Sequence, residues 1–123
     1  MKYNFENLEV WKLGMELVHN VYKSVKTFPD SEKFTLRDQF TRASISIPLN
    51  IAEGSGKPTQ KEFIKYIRNS IGSLLETVTC IKIAFQENYI DNKTKEDLKK
   101  QTQKLYFKLI ALEKSLDPTK RKQ

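Results

Sequence analysis

A chain of 123 residues, 38% of them hydrophobic, is sized for one domain with a real core, about two-thirds of its unfolded surface being buried on folding at this length. Its net charge of +7 is unevenly placed: residues 92–123 hold ten Lys/Arg against four Asp/Glu, while residues 1–91 hold twelve against eleven. The lone Cys80 rules out an internal disulfide, no apolar run approaches the roughly 18 residues of a membrane span, and the charged opening Met-Lys-Tyr-Asn-Phe-Glu is no secretory leader, which together predict a soluble protein of a reducing cytoplasm without membrane contact.

The first predicted helix covers residues 7–27, with Asn7 as N-cap and Phe28-Pro29-Asp30 as the break. Leu8, Trp11, Met15, Val18, Tyr22 and Val25 recur at steps of three and four, the spacing of a bundle seam, and Val10, Leu17 and Val21 widen the apolar sector to nearly half the circumference. Trp11 is read as a core anchor. His19 has no second histidine or cysteine partner for a metal and is expected at the surface or partly packed.

The second predicted helix covers residues 32–54, and the chain is organised around it. At about 100° per residue, Leu36, Phe40, Ala43, Ile47 and Ile51 form one apolar stripe, while Ile45, Leu49 and Ala52 fall on the reverse side. A row of Gln39, Arg42, Ser46, Asn50 and Glu53 runs between them. Two apolar sides call for two covers, either another copy of the chain or complete burial inside one bundle. On the first reading the oligomer interface comprises Arg42, Ile45, Ser46, Leu49, Asn50 and Glu53, with the polar members linked so that their pairing fixes the register. Pro48 removes a backbone bond in mid-helix and is expected to bend or break it, and Gly54 and Gly56 offer C-cap positions.

Thr59-Gln60-Lys61-Glu62 is a capping box opening a third helix over 59–88, whose Ile64, Ile67, Ile71, Leu74, Val78, Ile81 and Phe85 follow a 3-4 alternation without a gap. The small Ser70, Gly72 and Ser73 would let a neighbouring helix approach closely. The fourth helix, over 92–116, is capped by Asp91, Asn92 or Thr94 and carries Leu98, Thr102, Leu105, Leu109, Leu112 and Leu116 until Asp117-Pro118 stops it, leaving a charged tail over 117–123. Four helices joined by short turns make an all-α, antiparallel up-down-up-down four-helix bundle in a single domain.

Ser46-Ile-Pro-Leu-Asn-Ile-Ala-Glu-Gly54, with Phe5-Glu-Asn-Leu-Glu-Val-Trp11 upstream and Gly72-Ser-Leu-Leu-Glu76 downstream, resembles the bacterial four-helix-bundle family named for proteins encoded in 23S rRNA intervening sequences, over about residues 5 to 116. The resemblance implies a ring-like, barrel-shaped homopentamer. It also implies kinship with the accessory protein of diversity-generating retroelements, which binds nucleic acid and the reverse transcriptase. Many relatives have two consecutive arginines where this chain has Thr41-Arg42, and an arginine where it has Lys57, departures that lower the local charge and the capacity for bidentate phosphate contacts.

Two basic rows are the candidate RNA or DNA contacts: Lys61, Lys65 and Arg68 on the third helix, with Lys57 just before it, and Lys93, Lys100, Lys104 and Lys108 on the fourth. Repeated around a ring, such rows would form a positive belt that reads shape and charge with little base specificity. The alternative is a scaffold for a protein partner such as a reverse transcriptase, the lysines serving solubility alone. Catalytic signals are missing: no acid or base is spaced to activate Ser70 or Ser73, Gly54-Ser-Gly-Lys57 lacks phosphate-loop spacing, and no Glu-x-x-His pair occurs. The expectation is a non-catalytic protein without cofactor, metal or small-molecule substrate.

Overall fold

The computed structural model describes residues 1–121, in which four long helices alternate with short connections and no strand occurs. They are α1 (Glu9–Ser24), α2 (Leu36–Ser55), α3 (Gln60–Gln86) and α4 (Asn92–Leu116), followed by a single helical turn, α5 (Pro118–Arg121). Tight 3-10 turns at Asn4–Asn7, Val25–Thr27 and Asp30–Glu32 shorten the two N-terminal helices relative to the sequence expectation. Leu8, not Asn7, sits at the α1 cap position, and it makes no side-chain cap bond. Lys122 and Gln123, part of the expected tail, lie outside the described residues.

The starts of α3 and α4 follow the predicted chemistry, whereas α2 begins at Leu36 and not at residue 32, with Thr35 and not Asp30 or Ser31 at its cap position. The Thr59 hydroxyl accepts the Glu62 amide at 3.2 Å and donates to the Glu62 carboxylate at 3.1 Å, and the Asp91 carboxylate accepts the Thr94 amide at 2.8 Å. Glu32 serves α2 from the preceding turn, accepting from the Thr35 hydroxyl at 2.6 Å and from the first α2 amide, that of Leu36, at 3.2 Å. These bonds, Thr35 first, hold the Glu32 carboxyl below its ordinary range.

Each helix packs on its neighbours in sequence and α4 closes on α1. Cross-links show the antiparallel order: Gln39 donates to Glu76 at 2.9 Å and the buried Ser70 hydroxyl to the Ile47 carbonyl at 2.9 Å between α2 and α3, while Arg68 of α3 reaches Glu113 of α4 at 3.2 Å. The core runs down the middle on Leu17, Val21, Phe40, Ile47, Ile51, Ile67, Leu74, Leu98, Leu105 and Leu109. Burial raises the Cys80 thiol, with help from the Glu76 charge, and leaves it an inert packing group.

Several packing expectations are corrected. On α1 the buried side is Val10, Gly14, Leu17, Val21 and Ser24, whereas Met15 and Tyr22 of the predicted seam are exposed and Leu8, Trp11 and Val18 only partly covered. Trp11 is thus an edge residue, its ring meeting Phe5 edge-on at 5.3 Å. Pro48 does not break α2: it is buried opposite Gly14, where a Cβ would lie 3.5 Å from its ring. Of the two expected C-cap glycines, Gly56 takes that position while Gly54 lies inside α2, where α3 crosses so close that a Cβ would meet the Tyr66 Cβ at 2.5 Å. Gly72, expected at a close crossing, has nothing within 4 Å of its would-be Cβ.

Candidate functional site

Gly14 and Pro48 abut, and in an antiparallel pair the helical period turns the residues that follow them, Met15 and Leu49, toward the same outer side of the α1–α2 pair. Helical spacing places Trp11, Val18 and Tyr22 on that flank of α1, and Ile45 and Ala52 on that flank of α2. Leu49 is 60% exposed, Tyr22 48% and Met15 45%. The second apolar side of α2 is therefore not buried within its own chain, and α1 extends it.

The interface candidates have separate local partners. Arg42, exposed, pairs with Asp38 one turn earlier at 2.9 Å, not with the exposed Glu53. The Ser46 hydroxyl donates to the Arg42 carbonyl at 3.0 Å, and the Asn50 amide donates to the Ser46 carbonyl at 2.8 Å. Within one chain the expected side-chain relay from Arg42 to Glu53 is thus replaced by bonds to backbone, while Ile45 and Leu49 stand beside it unbonded and apolar.

The basic candidates divide by environment and by flank. Lys61, Lys65, Lys100 and Lys104 are exposed without a carboxylate partner among the described residues, and Lys57 lies over the Tyr66 ring at 5.2 Å. Three others are engaged by their own chain: Arg68 with Glu113 at 3.2 Å, Lys93 with Asp97 at 3.0 Å and Lys108 with Glu9 of α1 at 3.0 Å. The Asp97 bond and charge hold the Lys93 ammonium above its ordinary value. Arg68 points to the α3–α4 side and Lys108 to the α1–α4 side, so the two rows flank α4 on opposite sides and do not converge on one face.

Among the exposed apolar side chains that escaped the sequence reading are Leu75 of α3 and Phe107 of α4, 51% and 68% accessible. They border a groove between α3 and α4 of about 400 Å³. The available signal was Phe107 itself, an aromatic residue nearly opposite the Leu98-Leu105-Leu109 seam. Among the described residues no group of three or more His, Cys, Asp or Glu could hold a metal ion, and no helix is long and apolar enough to cross a membrane.

These features define a class: an all-α four-helix protein whose surface offers uncovered apolar side chains and lysine rows. The chain belongs to the family of 23S rRNA-intervening sequence proteins, whose model matches residues 6–111. It is similar in fold to the crystal structure of a protein of unknown function from the S23 ribosomal protein family of Bacteroides thetaiotaomicron, with a TM-score of 0.77 and 20% identity over 84% of this chain and 96% of that one. No curated protein matches the sequence.

Proposed function

We propose that this protein is a non-catalytic, self-associating bundle that holds RNA or DNA by charge, with little base selectivity. The observation that carries the reading is the flank where Met15 and Leu49 emerge together: large apolar side chains grouped on adjacent helices favour a cover, and a second copy of the same chain is the cover always at hand. The count of five comes from the family resemblance. Assembly repeats Lys57, Lys61, Lys65, Lys100 and Lys104 in every copy, so moderate charge on one chain becomes an extended positive surface for phosphates. Light scattering at micromolar concentration together with anisotropy of a labelled single-stranded RNA tests it. The expected outcome is a mass several times that of one chain and an association constant whose logarithm falls linearly with that of salt, by about 0.7 per phosphate neutralised. A stable monomer, or no RNA or DNA bound at about 50 mM salt, overturns it.

A second reading, a scaffold for a protein partner without direct nucleic-acid contact, is favoured by the ion pairs that occupy Arg68, Lys93 and Lys108. Nuclease treatment of the complex purified from cells separates the two: a protein partner retained after digestion favours the scaffold.

A further inference from the structure

From the α3–α4 groove we infer a docking site for an acidic, amphipathic helix of a partner protein. The floor is apolar, built on Leu74, Val78 and Ile81, and none of the residues lining the groove is acidic. Phe107 forms one wall, its ring braced edge-on by Tyr106 at 5.7 Å, and Leu75 stands on the other. The antiparallel register given by Arg68 with Glu113 and by Phe85 with Lys95 places Lys82 of α3 across from Lys99 of α4. Neither of these two lysines has a carboxylate partner among the described residues. From Lys95 to Phe107 the α4 wall measures roughly 18 Å at about 1.5 Å per residue, three turns of a docked helix.

Such a trough accepts a row of apolar side chains at i, i+3 or i+4, and i+7, and the facing lysines call for a carboxylate on each flank of that row. Charge complementarity chooses the occupant. Phosphates would find three lysines above an aliphatic floor, one of them, Lys95, already held between Glu96 and the Phe85 ring, and the chain's own Lys-Arg-Lys tail carries the wrong sign. The site requires neither self-association nor nucleic-acid binding.

The test uses the full chain and a fluorescent synthetic peptide of about 15 residues with leucines at that spacing and glutamates flanking them. Controls are a peptide of the same composition with its leucines scrambled and one with lysine in place of glutamate. The patterned acidic peptide is expected to bind at least about tenfold more tightly than either control, and Phe107→Ala, Leu75→Ala and the pair Lys82→Glu, Lys99→Glu each to weaken it about tenfold. All four positions are exposed, and unchanged circular dichroism confirms that each variant is folded. Equal binding of the scrambled peptide, indifference to Phe107→Ala and Leu75→Ala, or displacement by equimolar single-stranded RNA overturns the proposal. A fall in the mass of the assembly on Phe107→Ala also overturns it, because the groove would then be a contact between copies.

Discussion

Gly14 and Gly54 both lie inside helices and both face a neighbour, yet alanine should have opposite effects at the two. At Gly54 the new Cβ meets the Tyr66 Cβ at 2.5 Å, an atom held by its own backbone, so α2 and α3 must part; a loss of about 1–3 kcal/mol in urea-unfolding free energy is expected. At Gly14 the nearest atoms are at 3.5 Å, ordinary contact, and the better helix propensity of alanine should stabilise by up to about 1 kcal/mol. A second residue-scale effect concerns Glu32, which also accepts the Tyr89 hydroxyl at 3.1 Å. Its folded pKa lies below the ordinary 4.5, so its contribution is complete above about pH 4.5 and disappears as pH falls through the folded value. The Tm of the native chain should therefore fall more steeply below pH 4.5 than that of Glu32→Gln. Parallel curves for the two would show that these bonds add no pH-dependent stability.

At the scale of elements, helix existence, type and spacing were legible because each rests on chemistry local in sequence. Thr59 with Glu62 and Asp91 with Thr94 form the caps that their spacing predicts, and Ile64, Ile67, Leu74 and Ile81 of the α3 seam are buried while Ile71, Val78 and Phe85 are partly covered. Asp91→Ala should cost about 1 kcal/mol and Asp91→Asn much less, measured by thermal unfolding, since either an ionised or an amide oxygen can accept the Thr94 amide. The failure lies on α1, which carries two apolar stripes of helical period. Leu8-Trp11-Met15-Val18-Tyr22-Val25 has the larger side chains and reads as the seam, but of these only Val25 is buried and the core takes Val10-Leu17-Val21. Gly14 decides it: the helix turns its smallest residue toward Pro48, the close approach fixes its rotation, and the larger stripe is carried outward.

For the whole molecule the consequence is a bundle whose exposed apolar side chains include two groups on separate surfaces, the α1–α2 flank and the α3–α4 groove. The double variant Met15→Glu, Leu49→Glu alters two exposed positions, so light scattering should show a shift toward monomer with the helical circular dichroism retained. Weakened RNA binding should accompany it, because separated chains lose the repeated lysines; an unchanged mass would place self-association elsewhere. Of the candidate sites, sequence period alone exposed the reverse side of α2 at Ile45 and Leu49, and it located every lysine of the basic rows. It could not reveal that Arg68 and Lys108 answer carboxylates on other helices, although Lys93 with Asp97, four residues on, lay within reach of helical spacing. Nor could it reveal that Leu75 and Phe107, 32 positions apart, border one groove. The amino-acid sequence by itself determined which segments are helices and how their charges are distributed, because capping, periodicity and composition act over a few residues. Only the tertiary structure decided which side of α1 is buried, which lysines remain free and where the apolar surface gathers, because these depend on how closely two helices approach, and that distance is set by pairs such as Gly14 with Pro48 and Gly54 with Tyr66.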